Sequence, residues 1–166
     1  MDVHMHHMAR KPLTADNAAD ACTAIRMECL AFAARRTANL ISRAYAARLA
    51  PFGLEPSQFG VLIVVATGEA DSARELADRL GIERSTLTRN LTRLLDAGLL
   101  VGVPGKGRRI TYRLTATGRA RLAEALPAWQ EAQNAMQAQL RPGVADAARS
   151  SLEELRGAAL ELINAG

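Results

Sequence analysis

Residues 81–100 read "GIERSTLTRNLTRLLDAGLL", and this stretch decides the fold. On a helical wheel of about 100° per residue, with Leu87 at the origin, Leu91, Leu94 and Leu95 fall within about 80° of it. Ser85, Arg89, Thr92 and Arg93 fall on the far side, with Thr86 and Thr88 on the flanks. The pattern predicts a helix from about Arg84 to Ala97, ended by Gly98, with one face made for burial and the other cationic and hydroxylated. Arginine carries a planar fork of donors that fits guanine edges and phosphates. Serine and threonine hydroxyls bond phosphate oxygens or base edges, and a helix N-terminus favours anions. Arg84, Ser85, Thr86, Thr88, Arg89 and Arg93 are therefore the candidate contacts of a recognition helix for double-stranded DNA.

The neighbours on both sides fit that role. Upstream, "SARELADRL" opens on a Ser72/Glu75 capping-box pattern and closes on Gly81, which predicts a short helix joined by a tight turn to the basic one. That is the helix-turn-helix arrangement. Downstream the period changes. "LLVGVP" and "RRITYRL" are β-branched and alternating around "GKG", and predict a hairpin. Lys106, Arg108 and Arg109 stand near its tip, where a cationic wing suits the focused negative potential of a minor groove. With a helix starting near Pro56 and stopping before Gly68, residues 55–115 form a winged helix-turn-helix.

The fold class expected is mainly α with a small β-hairpin wing, flanked by long N- and C-terminal helices. Residues 20–54 hold one alanine-rich helix, from about Asp20 to Ala50, ended by "APFGL". Residues 116–166 hold two more, one to about Leu140 and one from about Val144 to Asn164, with a turn at 141–143. Pro127 falls inside the first of these, so a kink or break is expected there. These helices exceed what the small central domain can bury, so they are expected to bury each other across a two-fold axis as a homodimer. Trp129 is assigned to that interface. Residues 1–19 show no period and read as a disordered tail.

Bulk composition narrows the function. The chain of 166 residues carries a net charge of +4, with 49% hydrophobic and 23% charged residues. Residues 81–113 hold seven basic residues against two acids, so the surplus positive charge is local. That is the electrostatic footprint expected for nucleic acid. His4, His6 and His7 are the only histidines and all lie in the tail. A histidine-based triad or zinc site in the folded part is thereby disfavoured, and there is no P-loop, GxGxxG or CxxC pattern. Glu153 and Glu154 read as a solvated helix face. No enzyme, no catalytic residues, no cofactor and no metal are expected. No apolar run reaches membrane-spanning length, and no leader pattern is present, so a cytoplasmic location without membrane contact is expected. Cys22 and Cys29, seven residues and about 10.5 Å apart on one helix, are too distant for an intrachain disulfide.

The ordering of these pieces resembles the MarR family of winged-helix transcriptional regulators, over about residues 20–165. "LAPFGLEPSQFGVLIVVA" resembles the family's "L.p.gLt..Q...L..l" segment, "ARELADRLGIERSTLTRNLTRLLDAGLLV" its third and fourth helices, and "RRITYRLTATGRA" its wing strand with the "LT..G" exit. The resemblance implies a homodimer whose N-terminal and last two helices interlock. It implies sequence-specific binding to a pseudo-palindromic operator, with half-sites roughly 34 Å apart, and repression relieved by a ligand. By position Arg108 matches the wing-tip arginine, but Lys106 stands where the family carries an aspartate, which implies a more mobile and more basic wing. Effectors of such proteins are often small aromatic or anionic molecules bound beside the dimerisation helices, and Arg35, Arg36 and Tyr45 are the candidates for that cleft.

Two alternatives remain open at this point. Some relatives sense hydroperoxides through a cysteine just before a phenylalanine. Here alignment on Phe32 and Tyr45 puts Ala31 at that place and Cys29 two residues earlier, about 200° around the helix. Redox sensing through Cys29 is the lesser reading, and an apolar filler the greater. The other alternative is a winged helix that docks on protein rather than on DNA.

Overall fold

The computed structural model describes residues 18–105 and 109–166. The expectations for residues 1–17, including His4, His6 and His7, and for Lys106 and Arg108, lie outside the described residues. The chain divides into two compact units, residues 1–43 and 44–166.

In the first unit, α1 (Ala18–Glu28) is followed by most of α2 (Leu30–Leu49). The single helix expected from about Asp20 is thus interrupted at Cys29. The interruption is slight: Cys29 N–H still donates to Ile25 O at 2.8 Å, and Ala33 N–H to Cys29 O at 3.0 Å. Ile25, Met27, Leu30 and Phe32 are exposed.

The second unit begins within α2, whose Leu49 is 1% exposed. A single 3-10 turn, Ala50–Phe52, follows, and Gly53 closes it at φ 67°. Then come α3 (Pro56–Thr67), α4 (Ala73–Leu80), α5 (Arg84–Asp96), the strands β1 (Leu100–Pro104) and β2 (Ile110–Leu114), α6 (Ala116–Ala138) and α7 (Val144–Ala165). The strands pair antiparallel from Leu100↔Leu114 to Pro104↔Ile110. The core is the meeting of α3, α4 and α5 over the hairpin base and the start of α6, with Leu62, Leu76, Leu87, Leu94 and Leu100 at its centre.

Boundaries follow local chemistry. Pro56 opens α3, where its missing N–H costs nothing. Ser72 caps α4 by accepting from Glu75 N–H at 3.2 Å, and Gly81 ends it at φ 62°. Thr115 caps α6, accepting from Gly118 N–H at 2.9 Å while donating to Gly98 O at 2.7 Å. This ties the wing's exit to the turn after α5.

At three positions the structure adds to or changes the sequence reading. The helix α6 continues through Pro127 as one element, so the break expected there does not occur. Proline removes only the bond to the carbonyl of Ala123, and Ala123 lies on an exposed face where water can take its place. Trp129 packs against the core of its own chain, because α6 lies along the winged helix at that turn. Leu95, placed on the buried stripe of α5, is 37% exposed. It sits at the stripe's edge near the helix end, where it is only partly covered.

Candidate nucleic-acid interface

The helix α5 is held from behind. Leu87, Leu91 and Leu94 are each at most 5% exposed, and burying leucines of this kind contributes roughly 1.5–3 kcal/mol each. Asn90 joins them at 4% exposed, beside Ser57 of α3, whose Oγ lies 3.5 Å from its Oδ1. Among the described residues, the Nδ2 of Asn90 has no hydrogen-bond partner. Sequence reading passed over Asn90 because its polarity disguises a buried position, although its place on the wheel is as close to the leucine stripe as that of Leu95.

The front of α5 carries the expected groups. Arg84, Ser85, Thr88, Arg89, Thr92 and Arg93 are exposed and Thr86 is half-buried. They are not equivalent. Thr88 and Thr92 donate their hydroxyl protons backward along the helix, to Arg84 O at 2.8 Å and Thr88 O at 3.0 Å. A phosphate oxygen can only accept, so these two threonines offer it nothing without breaking an internal bond; what they present outward is a methyl group and oxygen lone pairs. Arg89 donates to Thr86 Oγ1 at 3.3 Å, which steers its guanidinium toward the helix's N-terminal end. Arg93 is paired with Glu55, Nη1 to Oε1 at 2.9 Å. Among the described residues, Arg84 and Ser85 carry no internal side-chain bond and stand free at the start of the helix.

The wing is anchored to the α3–α4 connection. Thr111 Oγ1 lies 3.5 Å from Asp71 O, and Gly105 N–H donates to Arg109 O at 2.8 Å across the hairpin. A Cβ at position 105 would stand 2.5 Å from Thr111 Oγ1, so a side chain there requires that hydroxyl to turn away. Arg109 is exposed and shares an open groove of about 470 Å³ with Ser72, Arg74, Glu75 and Tyr112. The N–H of Asp71 donates to the Glu75 carboxylate at 3.0 Å, and so does the Ser72 hydroxyl at 3.1 Å. These bonds, with the nearby positive charge of Arg109 and Arg79, hold the Glu75 carboxyl below its ordinary range. Of the three wing cations picked out in the sequence, Arg109 is the one described.

The remaining candidates lie elsewhere. Arg35 and Arg36 belong to the first unit, where Arg36 lines a shallow groove of α2 with Asn39, Leu40 and Arg43. Tyr45 belongs to the second, and its hydroxyl donates to Gln133 Oε1 of α6. Nearby, Arg48 pairs with Glu131 at 3.3 Å. Cys22 is exposed and Cys29 half-buried, both as free thiols; Cys29 Sγ accepts from Phe32 N–H at 3.4 Å. Glu153 pairs with Arg156 on α7. No group of three or more metal-ligating side chains occurs among the described residues, and no single described helix is long and apolar enough to cross a membrane.

Comparison with known proteins agrees with this geometry. The model of the MarR family matches residues 52–109, from the turn before α3 into the wing. The transcriptional regulator MosR of M. tuberculosis is 36% identical, with a TM-score of 0.73, over 82% of this chain and 98% of MosR. The same regulator in complex with DNA aligns at 35% identity and a TM-score of 0.73, over 81% of this chain and 98% of that one. The transcriptional repressor CouR bound to a 23-mer DNA duplex is 25% identical, with a TM-score of 0.68, covering 87% and 99%; CouR comes from Rhodococcus jostii RHA1. A MarR family protein of M. tuberculosis in complex with salicylic acid is 26% identical, with a TM-score of 0.59, covering 76% and 95%. No curated protein is a significant match.

Proposed function

Because this chain belongs to the MarR family of transcriptional regulators, we propose that it works as a homodimeric repressor. In this reading it binds a pseudo-palindromic operator, setting α5 of each protomer in a major groove and each wing in a neighbouring minor groove. The observation that carries this is the front of α5. Arg84, Ser85 and Arg89 are exposed on a helix whose leucine face is locked into the core, and a relative 35% identical has been captured on DNA. Arg89 is the reader of a base edge, since a guanidinium fork discriminates guanine by O6 and N7 together. Arg84, Ser85, Lys106, Arg108 and Arg109 position the protein on phosphates and in the minor groove.

The dimer reading is supported by what the chain leaves uncovered. The helix α7 has no buried residue, yet carries Leu152, Leu155, Leu160, Leu162 and Ile163, all exposed. Contiguous apolar faces of this size mark an interaction surface. Ile25, Phe32 and Leu40, on one side of α1 and α2, are exposed as well, as are Leu30 and Ile41. A second copy of the chain supplies complementary faces for both and gives two recognition helices related by a two-fold axis.

A small aromatic or anionic effector releases the operator in this scheme, as suggested by the relative holding salicylic acid. Tyr45 is its proposed contact in the second unit, giving up its bond to Gln133 on binding; Arg35 and Arg36 are separate candidates on the first unit. The ligand acts by preferring a spacing of the recognition helices that mismatches the half-sites.

The test is selection of bound fragments from random duplex DNA, followed by binding of the selected site across a salt series. We expect a palindromic consensus with half-site centres one helical turn apart, and log affinity falling steeply with log salt. No enriched sequence together with a flat salt dependence would instead favour the protein-docking reading.

A further inference from the structure

The pairing of Arg93 with Glu55 is, among the described residues, the only ion pair made by α5. It joins the front of the recognition helix to the residue just before α3. Both side chains are more than half exposed, at 58% and 60%. An exposed pair contributes only about 0–1 kcal/mol to folding, so the fold does not depend on it. The backbone at Glu55 is held independently: its N–H donates to Gln58 Oε1 at 2.9 Å, and its carbonyl accepts from Phe59 N–H at 2.9 Å. The carboxylate therefore projects from a fixed point. Arg93 lies one helical turn beyond Arg89 on the same exposed face of α5, so the carboxylate stands on the surface proposed to meet DNA.

We infer that Glu55 is an internal competitor for the DNA backbone, a carboxylate occupying Arg93 where a phosphate oxygen would otherwise bind. This deepens the proposed function and rests on it. A phosphate approaching Arg93 meets a like charge at a distance set by the 2.9 Å pair and must displace it. Loose encounters with arbitrary duplex do not offset that displacement. Docking that brings α5 fully into the groove does, because the phosphate arrives together with the other contacts. Glu55 thereby lowers non-specific affinity more than operator affinity, making it a specificity-determining residue that need touch no base.

The experiment measures binding of the full chain to a labelled random-sequence duplex and to a selected operator, over a salt series. The variants are Glu55→Gln, Arg93→Gln and the double substitution, with Glu55→Thr as a second neutral replacement should the glutamine variant fold poorly. Melting temperature is followed for each. Freeing Arg93 adds one phosphate contact. Glu55→Gln should therefore tighten random-duplex binding by roughly 3–10-fold and steepen the log–log salt slope by about 1, with a smaller gain on operator. In the Arg93→Gln background the same substitution should give no gain. Unchanged or weaker random-duplex binding by both neutral variants overturns the inference while leaving DNA binding intact. An equal gain without Arg93 also overturns it, by showing a diffuse charge effect. A wild-type chain that binds neither duplex overturns the functional reading and this inference together.

Discussion

A Cβ placed on Gly118 would stand 2.0 Å from the carbonyl oxygen of Leu99. Gly118 sits in the first turn of α6, and Leu99 lies just ahead of β1. Their contact is how the long C-terminal helix is seated on the base of the wing. Around it, Leu99 O accepts from Thr115 N–H at 3.1 Å, and Thr115 Oγ1 donates to Gly98 O. The "LT..G" exit of the wing thus has a steric and a hydrogen-bonding cause: threonine caps the helix, and glycine three residues later admits the strand's carbonyl.

Gly118→Ala should accordingly destabilise the chain. The methyl meets backbone rather than the far end of a flexible side chain, so the strand base or the helix must shift, at a cost of roughly 2–4 kcal/mol. That corresponds to a fall of roughly 5–15 °C in melting temperature. A melting temperature within a degree or two of wild type would show that the close approach relaxes freely.

Arg89 and Lys106 should separate base readout from backbone attraction. Arg89→Ala is expected to lose about 1–3 kcal/mol at one base position per half-site and to relax preference there. Lys106→Ala should weaken all sequences alike and reduce the salt slope by about 1. Repeating the selection with each variant checks both. A changed consensus for the Lys106 variant would contradict its assignment to backbone attraction.

Stability should respond to pH through Glu75. The folded state holds this carboxyl below its ordinary value of 4.5, chiefly through the Asp71 N–H and the Ser72 hydroxyl. A lowered folded value means the ionised form favours folding at pH above 4.5, and the benefit disappears as pH falls through the folded value. The melting-temperature gap between wild type and Glu75→Gln should be widest at neutral pH and close as the solution is acidified below 4.5. A gap that stays constant throughout the titration would assign the effect of Gln to packing instead.

Charge placed on α7 should dissociate the proposed dimer. Leu155 and Leu162 are 38% and 78% exposed in the single chain, and a glutamate at either would be buried unpaired across the two-fold. We expect Leu155→Glu with Leu162→Glu to raise the dimer dissociation constant at least about tenfold, the equivalent of 1.4 kcal/mol, and to weaken operator binding in step. Sedimentation equilibrium across a concentration series measures it. An unchanged mass distribution would place the interface elsewhere.

The one-dimensional pattern determined the parts of this protein that depend on neighbours in sequence. Leucine spacing along residues 84–96 defined the buried and exposed faces of α5, Ser72 and Gly81 bounded α4, and the change to alternating β-branched residues marked the hairpin. Each rests on forces acting within about one helical turn or one strand pair, so local order suffices to state them. Only the tertiary structure decided which of the exposed groups are free to act. Arg93 and Glu55 are thirty-eight residues apart in sequence and become partners at 2.9 Å because α3 and α5 pack together. Asn90 is buried because Ser57 and α3 lie over it, and Trp129 turns to its own core because α6 runs along the winged helix. Gly118 needs its bare backbone because Leu99 arrives from the far side of the hairpin. Long-range packing fixes these distances, and no period along the chain encodes them.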